Sequence, residues 1–463
     1  MSSTPESQDS EISYKTHHRK SFKRGRRPLS SASTSTSRSA NNKVRKDSEN
    51  HDCAPKKRRR SLSSAKDLHQ TSNHHHNDNQ KLSPHKSGHG KKIRNSLSKS
   101  RQHNHDSHSP RKRKDKNHRK RKDEIVKVND VIDERFKVES VLGEGSFGQV
   151  LDCFDKNNRE NVAVKALKPL NNYKSAAMHE IDVLKIIASS PNHENSCCIE
   201  PINFFSWNKY YFIVFPRLGK SVFKFLEDNH FRPYPNSHAA KIIYQVLQAT
   251  EFLNKIRLTH TDLKPENILF VNDSHYEKVD KESGKKINIL EDVTIRIIDF
   301  GSATFENQHH SRTIQTRHYR APEVILELGW SFPADIWSIG CILFELLTGK
   351  CMFMTHENLE HLAMMERVLG PLPKSMIKSS KRTSFFYKDK LDWNSDSRDG
   401  RYVKRNVKHL SHYWFNCESR EKRQGFDLVQ EMLKFKPHHR VTVNKSFKHP
   451  FFEINDCNNL CKL

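Results

Sequence analysis

The chain has 463 residues, of which 34% are hydrophobic and 29% are charged, and its formal net charge is +27. This composition is too polar for a chain that is folded throughout, and it indicates a globular part joined to an unstructured part. Residues 1–122 contain 33 Lys and Arg against 10 Asp and Glu, whereas residues 123–463 contain 48 and 44. The excess positive charge therefore lies in the N-terminal segment.

The sequence argues against several classes of protein. Its nine cysteines are odd in number and form no Cys-x-x-Cys pair, which disfavours a zinc ribbon or a disulfide framework and favours a reducing compartment. No apolar run approaches the roughly 20 residues that span a bilayer. The first residues also lack the apolar core of a signal peptide. We therefore expect a soluble intracellular protein that does not bind a membrane.

Residues 1–122 contain almost no large apolar side chains, so they cannot bury enough surface to offset the loss of chain entropy. We predict a disordered tail. Its basic clusters at 55–60 and 111–122 are typical of segments that bind nuclear import receptors or polyanions. We expect nuclear import. Direct binding of RNA by this tail is the alternative that the sequence favours less. The histidine run at 74–76 is interpreted as low-complexity sequence and not as a metal site.

From residue 123 onward the composition is that of a folded domain. Apolar alternation predicts a first strand at Phe136, and further strands at 149–154, 161–167, 199–205 and 210–215. Helical spacing of apolar residues predicts a helix over 175–188, and the pattern is mainly helical from Ser237. We therefore predict an α+β fold with two lobes. The folded domain covers 136–452, with an N-lobe at about 136–215, a C-lobe at about 220–452 and a short tail at 453–463.

A glycine-rich segment, GEGSFGQV, occupies residues 143–150 between two predicted strands. The G-x-G-x-x-G pattern alone is a weak signal, because it also opens dinucleotide-binding folds, but in those folds a helix follows the glycines directly. A strand–loop–strand arrangement instead forms a flap whose backbone approaches nucleotide phosphates. The residues predicted to form this flap are Leu142, Gly143, Glu144, Gly145, Ser146, Phe147, Gly148, Gln149 and Val150.

Lys165 lies on a predicted strand whose other residues are apolar. A buried ammonium group needs a partner, and Glu180 on the following helix is the natural one. We predict that Lys165 contacts the α- and β-phosphates of ATP and that Glu180 orients it. The remaining predicted ATP-binding residues are Ala163, Phe215, Leu218 and Leu269.

The segment HTDLKPEN at 260–267 is the most specific one in the chain. Asp262 is predicted to accept the proton of the attacking hydroxyl group, and Lys264 to lie near the transferred phosphate. Asn267 is predicted to bind Mg²⁺. Thr316, five residues before the triplet Ala-Pro-Glu, is predicted to bridge Asp262 and Lys264.

Asp299 follows an apolar run and begins the triplet Asp-Phe-Gly. We predict that it is the second Mg²⁺ ligand, because Mg²⁺ uses few carboxylates together with substrate oxygens. Two further pairings are predicted to be structural. Asp335, on an apolar helix, is expected to accept hydrogen bonds from the backbone of the 260–267 loop, and Glu323 is expected to pair with Arg440.

Five motifs in this order resemble the eukaryotic protein kinase superfamily across residues 136–452. The resemblance is narrower at 360–367, where EHLAMMER is the signature of the LAMMER, or CDC-like, kinases of the CMGC group. The segments 260–270, 316–330 and 401–403 resemble the same family, as does the long spacing from Asn267 to Asp299, which suggests an extra hairpin. A non-catalytic pseudokinase scaffold is disfavoured, because Lys165, Asp262 and Asp299 are all present.

The resemblance implies a dual-specificity kinase with ATP and Mg²⁺ as substrate and cofactor. It implies phosphorylation of Ser and Thr in Arg/Ser-rich splicing factors, autophosphorylation that can include Tyr, and a nuclear location. We expect a monomer, although the sequence itself does not reveal the oligomeric state. A kinase with another protein substrate class is the alternative. The signature segment itself is predicted to be an amphipathic helix with Leu359, Leu362, Met365 and Leu369 on one face, and to be scaffold or docking surface.

Three positions differ from the pattern of related kinases. Pro216 replaces an acidic residue in the segment between the lobes, but adenine is bound there by backbone groups, so ATP binding is expected to survive. Gln315 stands where relatives often carry a phosphorylatable Ser. Thr261, shared with the family, replaces the arginine that receives an activating phosphate in other kinases. We therefore expect that activity does not depend on phosphorylation of the activation segment at 299–323.

Overall fold

The structure, a computed structural model, describes residues 126–145, 148–167, 174–279, 284–417 and 419–457. These residues belong to one unit, Ser109–Leu463. The predictions for the tail at 1–122, for Ser146 and Phe147, and for residues 458–463 lie outside this part of the chain. Within the described ranges, no helix is long and apolar enough to cross a membrane, and none of the seven cysteines there forms a disulfide.

The N-lobe is a six-stranded antiparallel sheet in the order β1-β2-β3-β4-β6-β5. Its strands are β1 (Val131–Ile132), β2 (Phe136–Gly145), β3 (Gly148–Asp155), β4 (Glu160–Leu167), β5 (Asn203–Trp207) and β6 (Tyr210–Pro216). Between β4 and β5 lies helix α1 (Lys174–Ser189), whose residues Ile181, Leu184 and Ile187 are buried. Val162, Val164 and Ala166 alternate into the apolar core of the sheet, which directs Lys165 to the opposite face.

One predicted strand is wrong at its start. The prediction placed a strand at 199–205, but β5 begins at Asn203. Cys198 instead forms an isolated bridge with Ile297 of the C-lobe, and the Ile199 N–H donates to the Ile297 carbonyl at 2.9 Å. Pro201 has no N–H group to contribute to a strand ladder, which separates the two segments.

The C-lobe is mainly helical. Its helices are α2 (Val222–Asp228), α3 (Asn236–Lys255), α4 (Pro322–Ile325), α5 (Pro333–Thr348), α6 (Asn358–Leu369), α7 (Lys374–Ser379), α8 (Arg398–Asn406), α9 (Leu410–Phe415), α10 (Arg420–Met432), α11 (Val443–Ser446) and α12 (Pro450–Ile454). Helix α5 is buried along almost its whole length. A Cβ atom on its Gly340 would lie only 2.9 Å from the Cβ of Met432, so this glycine allows α5 and α10 to approach closely.

Four pairs of short strands accompany these helices. They are β7 (Leu258–Thr259) with β12 (Thr304–Phe305), β8 (Ile268–Phe270) with β11 (Ile295–Ile297), β9 (His275–Val279) with β10 (Lys286–Leu290), and β13 (Phe386–Tyr387) with β14 (Lys390–Leu391). The β9–β10 hairpin accounts for the long spacing between Asn267 and Asp299. A β-rich lobe followed by a larger helical lobe confirms the predicted two-lobed α+β fold.

Helix α6, which contains the EHLAMMER segment, is less one-sided than predicted. Leu362 and Met365 are buried as expected, but Leu359 and Leu369 are only half-buried. The five consecutive residues from 361 to 365 are all buried, because neighbouring elements cover more than one face of the helix. His361 is among them, and the centroid of its ring lies 5.0 Å from the centroid of the Phe353 ring.

Candidate active site

The loop at 260–267 is held between two short strand pairs, β7–β12 and β8–β11. At its centre, the Asp262 carboxylate accepts hydrogen bonds from Thr316, at 2.9 Å from the backbone N–H and 2.7 Å from the hydroxyl. The Lys264 ammonium group donates to the other Asp262 oxygen at 2.7 Å and to the Thr316 hydroxyl at 3.1 Å. The predicted bridge by Thr316 is therefore present, and it fixes the direction of the Asp262 carboxylate.

Asn267 and Asp299 each present an oxygen atom to the cleft. The Asn267 side-chain N–H donates to the Asp262 carbonyl at 2.9 Å, which directs its amide oxygen away from the loop. Lys165 occupies one Asp299 oxygen, and the Asp299 side chain stays 35% exposed. Asp299 adopts a left-handed backbone conformation with φ of 66°. One carboxylate and one amide oxygen are a donor set that fits Mg²⁺, which keeps water and substrate oxygens as its other ligands.

Lys165 is paired with two carboxylates, one in each lobe. Its ammonium group lies 2.6 Å from Glu180 on α1 and 2.9 Å from Asp299. Burial alone would lower the pKa of Lys165, but the two carboxylates outweigh it, so the pKa is raised and the group stays charged. For Asp299 burial acts to raise the pKa, and Lys165 reverses the shift, so the pKa is lowered. For Glu180 the burial outweighs Lys165, so the pKa of that carboxyl is raised. The cleft thus holds a charged lysine between two carboxylates, of which Asp299 is the one that Lys165 keeps ionised.

The glycine-rich segment forms the predicted strand–loop–strand, with Gly145 paired to Gly148 across β2 and β3. A Cβ atom on Gly148 would collide with the Ala166 carbonyl, whereas one on Gly143 would meet no atom within 4 Å. Gly148 is thus required by packing against β4, and Gly143 leaves open space next to the cleft. The Gln149 side chain donates to Glu144 at 3.0 Å and links the two strands.

The other predicted ATP-binding residues lie on strands β2, β4, β6 and β8 and on the segment that connects the two lobes. Phe215 and Leu218 are buried, with 7% and 8% of their surface exposed, while Ala163 and Leu269 are half-buried and Leu142 is 40% exposed. Ala163 pairs with Phe215 across β4 and β6, and Leu269 forms a bridge with Ser221. These contacts place Ala163 of the N-lobe and Leu269 of the C-lobe on the two sides of the segment that connects the lobes.

Two predicted structural pairings are confirmed. The buried Asp335 carboxylate accepts from the backbone N–H groups of His260 at 2.8 Å and Thr261 at 3.1 Å. Arg440 donates two hydrogen bonds to Glu323, at 2.6 and 2.5 Å. Asp335 therefore holds the start of the catalytic loop at 260–267 in place. Glu323 holds the end of the activation segment at 299–323 in place.

The beginning of the activation segment is anchored by two residues to which sequence reasoning gave no such role. The Thr261 hydroxyl donates to the Ser302 carbonyl at 2.8 Å. The ring Nε2 of His179, next to Glu180 on α1, lies 2.7 Å from the Ala303 carbonyl and must carry the proton there, because a carbonyl only accepts. A histidine directly before the predicted Glu180 was the only signal available in the sequence.

The end of the activation segment is anchored by Gln315, which is only 7% exposed. Its side-chain amide donates to the Ala334 carbonyl and the Ser338 hydroxyl, both at 2.8 Å, and accepts from the Ala321 N–H at 3.0 Å. Its backbone N–H donates to the Thr261 carbonyl at 2.9 Å. Gln315 thus ties the end of the activation segment to helix α5 and to Thr261 through hydrogen bonds of its neutral amide.

The two-lobed fold and this cleft define a protein kinase, and residues 136–452 match the family model described as protein kinase domain. The chain belongs to that family. Within it, the chain belongs to the LAMMER, or CDC-like, group of dual-specificity kinases, as the resemblance of its motifs predicted.

Similar proteins support both statements. The human dual specificity protein kinase CLK2 is 46% identical over 330 residues, which cover 71% of this chain and 66% of CLK2. Mouse CLK4 is 41% identical over 355 residues, covering 76% of this chain and 74% of CLK4. The Drosophila melanogaster serine/threonine-protein kinase Doa is 43% identical over 337 residues, and these residues cover 40% of Doa. The matched stretch thus spans just under two thirds of human CLK2.

Among solved structures, the crystal structure of a kinase domain aligns with a TM-score of 0.64 at 33% sequence identity. The alignment covers 71% of this chain and 98% of that domain. The likeness therefore extends over a whole kinase domain.

Proposed function

We propose that the protein transfers the γ-phosphate of ATP to Ser and Thr hydroxyl groups of other proteins, and to Tyr hydroxyl groups during autophosphorylation. The observation that carries this proposal is the arrangement around Asp262. Its carboxylate is oriented by Thr316 and Lys264 and lies next to Asn267, in a cleft where Lys165 is already paired with Glu180 and Asp299. Phosphoryl transfer depends mainly on such fixed geometry and on cations near the phosphates.

In the proposed reaction, the substrate hydroxyl oxygen attacks the γ-phosphorus of ATP and its proton passes to Asp262. The bond between the γ-phosphorus and the bridging oxygen breaks, and ADP leaves. Lys264 stabilises the charge on the transferred group, and Lys165 holds the α- and β-phosphates. The glycine-rich segment covers the phosphates. The adenine is enclosed by the predicted apolar residues Leu142, Ala163, Phe215, Leu218 and Leu269.

Mg²⁺ is the cofactor that the donor atoms fit best. Asp299 and Asn267 would hold it through the oxygens that they present to the cleft. When bound, the ion neutralises charge on the β- and γ-phosphate oxygens. Lys165 contributes by keeping Asp299 ionised, since its ammonium group lowers the pKa of that carboxyl.

We propose Arg/Ser-rich proteins, including splicing factors, as the substrate class. The names of the similar proteins give dual specificity but no substrate, so this part of the proposal comes from the family resemblance. One feature of the cleft supports it. The Glu266 carboxylate, next to Asn267, is exposed, and no ion pair connects it to a cation of the described residues. It is available to a substrate arginine near the catalytic loop.

The basic clusters at 55–60 and 111–122 support a nuclear location reached through import receptors. We further propose that the catalytic form is a monomer, since every predicted catalytic residue comes from one chain.

The test is transfer of radiolabelled phosphate from ATP·Mg²⁺ to an Arg/Ser repeat peptide and to a Lys/Ser peptide of equal length. We expect strong labelling of the Arg/Ser peptide only, and none with Asp262→Ala. The variant Glu266→Gln should weaken the preference for arginine, mainly through KM, and leave autophosphorylation unchanged. Autophosphorylation without labelling of either peptide would refute the substrate class. No transfer by folded, ATP-binding protein would refute the kinase activity.

A further inference from the structure

Helices α8 and α9 carry an exposed surface that has no role in the proposed reaction. Its cationic and aromatic side chains follow one another on these two consecutive helices, namely Arg401, Tyr402, Arg405, Lys408, Trp414 and Phe415, and together they are called here the aromatic–basic surface. Tyr402 and Trp414 are 44% and 42% exposed, and Phe415 is 77% exposed. Large aromatic side chains this exposed on a soluble domain indicate a binding surface.

Helix α8 presents cations and a tyrosine on one face. Residues 398, 401, 402 and 405 follow the spacing of that face. Val403 is buried and fixes the opposite side of the helix against the lobe. Arg401, Tyr402 and Arg405 are therefore all exposed on this face, where Arg401 also donates a hydrogen bond to the Asp396 carbonyl.

The aromatic pair on α9 is held outward by the packing of its neighbours. Leu410 is buried, and the Tyr413 ring contacts Phe344 at 4.9 Å. These contacts leave Trp414 and Phe415 on the solvent side, with ring centroids 5.4 Å apart. Since the helix is anchored, the two exposed rings have a fixed position, with their planes inclined by 42° to each other.

The charge of this region is distinct from that of the rest of the domain. Residues 398–423 contain eight Lys and Arg against three Asp and Glu, while the other residues from 123 to 463 contain 40 and 41. This short stretch therefore supplies the whole positive excess of the folded part. Arg405 and Lys408 are exposed and form no ion pair with a carboxylate among the described residues.

From these observations we infer that the aromatic–basic surface binds single-stranded RNA. A partner with negative charge along its length matches the cations, and flat bases match the exposed rings of Tyr402, Trp414 and Phe415. Proteins that bind single strands without sequence preference combine these two features. A duplex has its bases stacked inside and would use the cations only. This site is separate from the basic tail, which can attract RNA through charge alone.

The test measures binding of a fluorescent 12-nucleotide single-stranded RNA to the full-length protein at increasing NaCl concentrations. The double variant Trp414→Ala/Phe415→Ala should lose about tenfold or more in affinity, because each base stacked on an aromatic ring contributes about 1–3 kcal/mol. Its salt dependence should stay unchanged. The double variant Arg405→Gln/Lys408→Gln should instead reduce the salt slope by about 1.4, since each cation removed contributes about 0.7 for a single strand. The matched control is Tyr387→Ala, which removes an exposed aromatic ring on the β13–β14 hairpin.

Fluorescence of the indole gives a second measurement, because RNA should quench the emission of Trp414 and the quenching should vanish in Trp414→Phe. Equal affinity of the Trp414→Ala/Phe415→Ala variant and the Tyr387→Ala control would show that the tail alone binds RNA, and would overturn the inference. Equal competition by duplex RNA, or full competition by a polyglutamate peptide, would also overturn it. The second result would mean that the surface serves an acidic protein. Unchanged kinase activity of each variant shows that it is folded.

Discussion

The cleft and the framework beneath it both depend on carboxylates, but they use them differently. In the cleft, Asp262 and Asp299 keep 21% and 35% of their side-chain surface exposed. Beneath it, Glu323 is 2% exposed and binds Arg440, which is 1% exposed, through both oxygens. Carboxylates that are fully saturated and buried hold the fold, whereas those that remain accessible are left for substrate and metal.

The largest effect that separates the two regions is expected at the buried pair. Arg440→Met should lower the free energy of unfolding by about 3–5 kcal/mol, because the Glu323 carboxylate stays buried without its partner. Urea denaturation measures this change. The control in the cleft is Asp262→Asn, which should change stability far less while slowing phosphate transfer by a factor of about 10²–10⁴.

A double variant at the same ion pair extends that test. Glu323→Leu/Arg440→Met removes both charges and should recover part of the lost stability, since no unpaired charge remains. Wild-type stability of Arg440→Met alone would show that the pair does not hold the activation segment.

Glu345 on α5 gives the next largest effect, and it depends on pH. Burial raises the pKa of this carboxyl from 4.5 to about 7, although the Tyr319 hydroxyl donates to it at 2.7 Å. The folded state therefore binds the proton more tightly, and stability is lost as the pH rises from about 4.5 to 7. The loss at pH 8 should reach about 3 kcal/mol.

Glu345→Gln keeps the acceptor and removes the charge. Relative to wild type, the variant should gain stability at pH 8 and gain nothing at pH 4.5, as measured by urea denaturation at both pH values. Glu453→Gln, which changes an exposed carboxylate on α12, is the control. Equal effects of the two substitutions across this range would contradict the assignment.

The smallest effect is expected from removing phosphate groups. The activation segment is anchored by hydrogen bonds of Thr261, His179 and Gln315, and no phosphate group takes part in them. Phosphatase-treated protein should therefore retain its rate of phosphate transfer to peptide. Loss of nearly all activity, restored by autophosphorylation, would show that these bonds do not suffice.

The parts that sequence predicted well are those in which a short motif specifies its own chemistry. Asp262, Lys264 and Asn267 lie within six residues, and their mutual contacts follow from the loop that they form. Lys165 and Glu180 were paired in the prediction because a buried ammonium group has few alternatives.

The parts that sequence did not predict depend on contacts between distant elements. Nothing near Gln315 shows that Ala334 and Ser338 will receive its amide, or that the ring of His179 will reach Ala303. The burial of His361 was missed for a related reason, since helical periodicity identifies one apolar face and cannot show that a second face is also covered. The start of β5 was misplaced because Ile199 pairs with a strand almost 100 residues later.

We propose that the cleft is assembled for phosphate transfer with Asp262 as the proton acceptor. The most direct measurement compares ATP·Mg²⁺ binding with the single-turnover rate of phosphate transfer in wild type and Asp262→Asn. We predict equal ATP affinity and a rate lower by a factor of about 10²–10⁴ in the variant, the range expected for loss of a general base. An undiminished rate in Asp262→Asn, or absence of transfer by wild-type protein that binds ATP, would contradict the claim.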